Sequence, residues 1–465
     1  MLCNTPPSEA QTNGIHAKIQ IGQHHQFKIY SPNVPLSGNL VINSNKNTAF
    51  DKIEISLVGT AVTHNYVQPD PIQATVPFLK LDMRCESNSL PPGRFLEAGT
   101  EYSIPFNFVI PRQLPMGSCK HRSITSSLQE RHLRLPPSIG LCPGNEQSPE
   151  AAQIRYSIVA IALKRVYRFD EPIILFTTKQ SIRVLPPSPE DPPLDCFGKI
   201  YRLSNTRRIW KNIFRDTGGE LTATAWQPKA VMISPDGSSA SNSFLHLQLA
   251  FVPSSIDLPP IRVTSISGKL LCKTIFDIMP ISHAPALEHS KQGVCDPYCD
   301  TRRHTLFHRQ VGAIQWTAND ERSQSSQRNN STASCQSTPA AQTEKNQEPA
   351  TRRASLPWVW KSIEEPALRY TAELDIPFTV PHGNKSFFLP TFDLCTVSRA
   401  YSLKITLRVG PMQRRLTLSV PMPSGVEGAV QRTGDHAGAQ GIIDDFFVEL
   451  GGEEYEEPPS YTARL

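Results

Sequence analysis

Hydrophobic residues alternate with polar ones in several separate runs, and this period of two constrains the fold of the chain most strongly. The run Ile53–Leu57 alternates in this way, and so do the runs at 245–251 and 403–409. Successive side chains of a β-strand point to opposite faces, so each run predicts a half-buried strand. The run at 154–163 is apolar on both faces and predicts a central strand. Many strands separated by turn residues predict an all-β protein made of β-sandwiches.

Proline supports this interpretation through its positions. The chain has 42 prolines among 465 residues, about 9% against a usual share of about 5%. Most of them fall between the alternating runs, where a proline removes no hydrogen bond from a strand ladder. The prolines therefore indicate strand ends and turns rather than a wholly unfolded chain.

The two halves of the chain share three landmarks in the same order. Each half has a strand-like stretch around Ile-Pro-Phe, then a Leu-Pro step, then a tyrosine that opens a long apolar strand. The matching segments are Glu101–Pro111 with Ala372–Pro381, Leu135-Pro136 with Leu389-Pro390, and Arg155–Ile158 with Ala400–Leu403. Matching order as well as type predicts two tandem immunoglobulin-like β-sandwiches of one topology.

Composition shifts suggest the domain boundaries. We predict a flexible N-terminus, a first sandwich, a linker, a second sandwich with a disordered insert, and a flexible acidic tail. Their bounds are 1–15, 16–185, 186–216, 217–423 with the insert at about 283–356, and 424–465. The centre of the insert and the tail have few large apolar residues, which favours disorder.

A basic stretch follows the proline-rich start of the linker. Its six cations are Lys199, Arg202, Arg207, Arg208, Lys211 and Arg215. The apolar residues between them recur near helical spacing and would share one face. One interpretation is contact with an anionic membrane surface, where each cation would contribute about 1 kcal/mol. The other, which we favour, is a linker whose apolar face packs on the second sandwich.

Charge and motif content argue against several classes of protein. The net charge of +5, from 47 basic and 42 acidic residues, is too small to indicate nucleic-acid binding. We find no nucleophile elbow, phosphate-binding glycine loop or His-Glu-x-x-His pair, so we predict a non-enzymatic protein without a cofactor. The longest apolar run is about eight residues, whereas a membrane span needs about 20.

The ten cysteines form no regular framework, which is typical of reduced thiols in a cytosolic protein. No secretory signal is visible at the start. The best metal candidate is Cys295, Cys299, His304 and His308. Its spacing differs from that of a zinc finger, so we predict no metal site there.

A basic pair precedes a serine in the insert. Arg352, Arg353 and Ser355 resemble a site for a basophilic kinase. A phosphate at Ser355 would add about −1.5 to −2 charge and could recruit a partner. The alternative is a chance match, because short basic motifs are common.

The most specific motif is Pro458-Pro459-Ser460-Tyr461. Two prolines favour a polyproline II turn, which docks on an aromatic-lined groove with little loss of entropy. The tyrosine would fill a second pocket of that groove. This combination predicts a ligand for a WW domain.

Together these residues resemble the α-arrestins, particularly the fungal arrestin-like proteins. The resemblance covers roughly residues 16–420, with gaps at the linker and the insert. It is carried by Gly59, Gly93–Gly99, Tyr102–Phe106 with Pro111, Leu133–Ser138, Ile376–Phe378, Ser398–Leu403 and the terminal Pro-Pro-x-Tyr. The chain departs from the family in having a single such motif and a large insert in the second half.

The resemblance implies the arrestin fold and an adaptor function. The adaptor would bring a WW-domain HECT-type ubiquitin ligase to transporters or receptors of the plasma membrane, which are then ubiquitinated and internalised. It would be cytoplasmic and recruited to the plasma membrane or endosomes, and its own lysines could also receive ubiquitin. The alternative is a trafficking-coat or signalling scaffold of the same fold that recruits no ligase.

Overall fold

The structure is all-β, as the sequence predicts. It is a computed structural model that describes residues 10–12, 14–25, 28–65, 72–83, 90–119, 121, 126–140, 148–165, 172–188, 202–210, 217–281, 297–320, 368–380, 388–428 and 462–463. One short α-helix, α1 (Ser126–His132), lies in these ranges, and none of their helices is long and apolar enough to cross a membrane.

The first half of the described chain contains eleven strands. They are β1 (Ala10–Thr12), β2 (Ile15–Ile21), β3 (Ile29–Tyr30), β4 (Pro35–Ser44), β5 (Thr48–Ala49), β6 (Lys52–Asn65), β7 (Ile72–Met83), β8 (Phe95–Leu96), β9 (Glu101–Val109), β10 (Ala152–Lys164) and β11 (Ile173–Val184). Two short 3-10 turns, Pro92–Arg94 and Met116–Ser118, lie between them.

The remaining strands follow in the second half. They are β12 (Arg202–Trp210), β13 (Thr217–Trp226), β14 (Val231–Ile233), β15 (Ser243–Pro253), β16 (Val263–Phe276), β17 (Tyr298–Gln310), β18 (Thr317–Asp320), β19 (Leu368–Phe378), β20 (Phe392–Asp393), β21 (Val397–Val409), β22 (Arg414–Pro421), β23 (Ser424–Val426) and β24 (Thr462–Ala463).

A four-stranded and a six-stranded sheet enclose the first hydrophobic core. Their strand orders are β1-β2-β4-β9 and β24-β7-β6-β10-β11-β3. Strand β10 lies between β6 and β11 in antiparallel register, so the apolar run at 154–163 is a central strand, as predicted. Alternate residues of β4 and β10, such as Leu40, Ile42 and Ile158, are fully buried in this core.

Two five-stranded sheets enclose the second core. One has the order β12-β13-β15-β19-β18, and the other the order β17-β16-β21-β20 with β22 also paired to β21. The predicted strands at 245–251 and 403–409 are β15 and the end of β21, and their alternate apolar residues are buried here. A β-sandwich architecture is therefore confirmed, whereas the tandem repeat of one domain type stays a prediction.

The two tyrosines of the internal repeat make equivalent contacts. The Tyr156 hydroxyl donates to the Pro136 carbonyl at 2.6 Å, and the Tyr401 hydroxyl donates to the Leu389 carbonyl at 2.8 Å. Each tyrosine is buried and lies on the long central strand of its half. The contacts support the predicted repeat. The accepting carbonyl belongs to the proline of the Leu-Pro step in the first half and to the leucine in the second.

Gly59, one of the residues that carry the family resemblance, lies where the neighbouring strand leaves no room for a side chain. A Cβ atom at this position of β6 would lie 2.6 Å from the Phe78 ring and 3.1 Å from the Leu79 side chain. Only glycine lets the adjacent strand β7 pack its aromatic ring so closely.

The helical spacing inferred for the basic stretch is wrong. Arg202–Trp210 is strand β12, which pairs with β13 along its whole length. Ile209 is buried in the second core, while the neighbouring positions 204–208 face solvent. Backbone pairing at a sheet edge overrides the weak apolar pattern, and residues assigned to the linker belong to a sheet.

The insert and the tail, which are predicted above to be disordered, also contain strands. Strands β17 and β18 lie within 283–356 and pair with β16 and β19. Only Phe307 of β17 is buried, so this strand lacks the apolar alternation on which the sequence prediction depended. Strand β23, at the predicted start of the tail, is buried and pairs in parallel with β14.

Candidate functional site

A hairpin of the second half inserts into the first core. Phe392, Leu394 and Val397, around the turn between β20 and β21, are buried among residues of the first half. The Leu394 amide donates to the Val397 carbonyl at 2.9 Å and closes this turn. Cys395 is therefore held at its tip.

A loop of the first half faces this turn. The Leu114 amide donates to the Leu133 carbonyl at 2.8 Å and closes the loop at its base. The loop carries Cys119 directly after a 3-10 turn and ends in α1, whose residues Leu128 and His132 are buried. These two residues are four positions apart and therefore lie on the same face of the short helix.

The loop and the turn bring four side chains together. One ligand atom from each of Cys119, His121, His132 and Cys395 lies within 4.8 Å of every other. His132 Nδ1 is 3.7 Å from Cys119 Sγ and 3.8 Å from Cys395 Sγ. The rings of His121 and His132 have their centroids 5.1 Å apart. We call these four residues the Cys/His cluster.

Burial dominates the electrostatics of the cluster. It lowers the pKa of His132, and the neighbouring His121 lowers it further. It raises the pKa of the Cys395 thiol to about 12, with Cys119 adding to the shift. Both ring nitrogens of His121 are shielded from solvent and have no hydrogen-bond partner among the described residues.

Two polar contacts flank the cluster and join the same two halves. Arg131, the residue before His132, donates to the carboxylate of Asp393, whose side chain is only 3% exposed. The fully buried Arg399 donates to Ser148 Oγ at 2.8 Å and to Thr274 Oγ1 at 3.1 Å. The junction between the cores is therefore partly polar.

A pocket of about 260 Å³ opens beside the contact between Arg131 and Asp393. It is lined by residues of both halves, including Arg112, Arg131, Arg134, Pro187 and Thr391. Three arginines at one opening favour an acidic ligand, although Glu130 and Asp393 also line it.

Several predicted site residues lie outside the described part of the chain. These are the motif Pro458, Pro459, Ser460 and Tyr461, the kinase-type site Arg352, Arg353 and Ser355, and Lys199, Lys211, Arg215 and Cys295. Of the other basic residues, Arg207 and Arg208 are exposed on the edge strand β12, and Arg208 pairs with Glu220 at 2.9 Å.

The remaining members of the predicted Cys/His set are spread along β17. Cys299, His304 and His308 follow one extended strand. At about 3.3 Å per residue, Cys299 and His304 are about 16 Å apart along it. These residues are therefore not brought together as a metal would require.

The chain returns to the first sandwich directly after the Pro-Pro-x-Tyr motif. Thr462 and Ala463 form β24, which pairs antiparallel with Asp82 and Leu81 at the edge strand β7. No pattern in the sequence of the tail predicts this contact.

Sequence reasoning also missed the Cys/His cluster. The pattern Cys119-x-His121 followed by His132 was a local signal, but its fourth member lies 263 positions beyond His132. Spacing rules detect ligands that are close in sequence, so they do not find a site assembled from two halves.

Compared with models of known protein families, the chain matches none, and the comparison with curated proteins gives no match either. The likeness to α-arrestins therefore depends on the residues quoted above.

Proposed function

We propose that this protein is an arrestin-like adaptor that recruits a WW-domain HECT-type ubiquitin ligase to transporters or receptors in the plasma membrane. The observation that carries the proposal is the motif Pro458-Pro459-Ser460-Tyr461. A proline pair with a tyrosine two positions later has the shape and the aromatic anchor that a WW groove binds. The β-sandwich architecture supports the proposal, because the resemblance implies the same class of fold.

The adaptor would contribute proximity rather than chemistry. A client held by the sandwiches and a ligase held by the motif would share one scaffold, which raises the effective concentration of one near the other. Because β24 follows Tyr461 directly and pairs with β7, a ligase domain bound to the motif would sit beside the first sandwich.

The client would bind through an acidic or phosphorylated cytosolic segment. The pocket supports this assignment, because its three arginines outnumber the two acids that pair with Arg131 and Arg134, namely Asp393 and Glu130. Guanidinium groups bind carboxylates and phosphates in two-pronged geometry. Recruitment would place the protein at the plasma membrane or endosomes.

Binding of an isolated WW domain to the full chain tests the proposal. We expect Tyr461→Ala to weaken binding at least tenfold, about 1.4 kcal/mol, and to slow client uptake in cells. Tyr455→Ala is the matched control, because it removes a tyrosine six positions earlier in the same acidic segment without a preceding proline pair. If Tyr461→Ala changes neither binding nor uptake, the ligase adaptor is rejected in favour of a trafficking-coat or signalling scaffold.

A further inference from the structure

We infer that the Cys/His cluster is a structural zinc site that joins the two halves of the chain. Its ligands are Cys119, His121 and His132 from the first half and Cys395 from the second. Two cysteines and two histidines are a common ligand set of four-coordinate structural zinc. This site is independent of the proposed adaptor function.

The spacing of the ligand atoms matches a tetrahedral ion. With Zn–S near 2.3 Å and Zn–N near 2.05 Å, the S···N edge of a tetrahedron is about 3.6 Å long. The two S···N distances to His132 Nδ1 are 3.7 and 3.8 Å. These are longer than ordinary hydrogen bonds but require little movement to coordinate one ion.

His121 provides an independent observation. Both its ring nitrogens are shielded from water and without a partner among the described residues. A buried polar group left without a partner costs about 1–3 kcal/mol. A metal ion at the centre of the cluster would bind one nitrogen and leave the other for a neighbouring group, as is usual for metal-bound histidines.

Binding is balanced by proton release. Each coordinating thiol gives up its proton to the solvent and binds as thiolate, while each histidine binds through a neutral nitrogen. One Zn²⁺ therefore releases two protons, and the site with two thiolates and the ion carries no net charge. A neutral site suits a position in which Cys119 and His132 are buried and His121 and Cys395 are partly buried.

A disulfide between Cys119 and Cys395 is the main competing structure. It would need an oxidant and would leave the unpartnered nitrogens of His121 unexplained. The zinc site uses all four side chains and needs no oxidant.

The site would cross-link the two halves of the chain, because it connects the turn at Cys395 to a loop whose His132 lies 263 positions away. Binding energy of a structural ion contributes directly to folding energy. The orientation of the β20–β21 hairpin would then depend on the metal.

The full chain, purified under reducing conditions without added metal, should contain about one zinc per molecule by elemental mass spectrometry. Cobalt exchanged into the site should give the visible absorption bands of a tetrahedral cobalt ion and a thiolate-to-cobalt charge-transfer band. This measurement uses the unaltered protein and does not depend on the folding of any variant.

Variants then assign the ligands. We expect Cys119→Ser and Cys395→Ser each to weaken zinc binding more than tenfold in competition with a chromogenic chelator. Cys272→Ser is the matched control, because Cys272 is a buried free thiol of the second core. Cys299→Ser combined with His304→Gln tests the set suggested by sequence, and we expect no change.

Three outcomes would overturn the inference. The first is a full chain that holds no zinc and takes up no cobalt. The second is zinc that survives both Cys119→Ser and Cys395→Ser. The third is a thiol titration of the unfolded, unreduced protein that finds two fewer than its ten cysteines while the Cys119→Ser variant titrates all of its remaining thiols, which would indicate the Cys119–Cys395 disulfide.

Discussion

Arg399 donates to Ser148 Oγ at 2.8 Å across 251 positions of sequence. Arg399 is the largest fully buried side chain among the described residues, and the Oγ1 of Thr274 also accepts from it. A guanidinium so far from solvent is stable only when its hydrogen bonds are satisfied. A buried cation of the second half is thus satisfied in part by a residue of the first half, at the junction between the two cores.

Arg399→Ala should be strongly destabilising. It removes the donor from two buried hydroxyls and leaves a cavity, and each buried group that loses its hydrogen-bond partner costs about 1–3 kcal/mol. Urea unfolding of the full chain would measure the change. Arg408→Ala, an exposed arginine on the same strand β21, should change the free energy of unfolding by less than about 0.5 kcal/mol. Equal effects of the two variants would contradict the role of Arg399.

Both tyrosines of the internal repeat should contribute to stability. Tyr156→Phe and Tyr401→Phe each remove a buried hydrogen bond to a carbonyl and should each cost at least about 1 kcal/mol, and the Tyr401 hydroxyl also interacts with the side chains of Cys272 and Arg399. The partly buried Tyr370 has no hydroxyl contact among the described residues, so Tyr370→Phe should change stability by less than about 0.5 kcal/mol. Chemical denaturation of the three variants tests this, and a loss confined to one of the two tyrosines would argue against equivalent roles.

Stability should fall at alkaline pH because of the same two hydroxyls. Burial raises the pKa of both Tyr156 and Tyr401 well above the usual 10. The folded state keeps these protons when the unfolded chain loses them, so the unfolded state binds fewer protons above pH 10 and stability decreases as pH rises. Below pH 10 the two tyrosines make their full contribution to the free energy of unfolding.

Above pH 10, the decline in the free energy of unfolding should approach about 1.4 kcal/mol per pH unit for each tyrosine. Urea midpoints measured from pH 8 to pH 11 would record it, with reversibility checked at each pH. The double variant Tyr156→Phe and Tyr401→Phe should show a shallower decline over this range. An unchanged slope in the double variant would assign the alkaline loss to other groups.

Much of the fold could be predicted from local pattern. The strands around Ile55, Leu249 and Ile405 follow from period-two alternation, because a half-buried strand must separate polar from apolar side chains. The tyrosine steps at 156 and 401 likewise predicted a repeat, and in the structure both tyrosines donate to a backbone carbonyl. These features depend on neighbours in sequence, so the sequence alone carries the information.

Strands β12 and β17 could not be predicted in this way. Their side chains are largely polar and exposed, and each is held by backbone hydrogen bonds to one adjacent strand, β13 or β16. Such pairing depends on the partner that the rest of the fold supplies. Composition therefore indicated a linker and an insert where the structure has sheet edges.

The β class, the central strands and the Pro-Pro-x-Tyr motif can be predicted without a structure, since each is written in consecutive residues. The approach of Cys119, His121 and His132 to Cys395, and of Arg399 to Ser148, is a product of tertiary packing. These contacts arise because the β20–β21 hairpin of one half packs into the core of the other, and no local pattern encodes a meeting of residues some 260 positions apart.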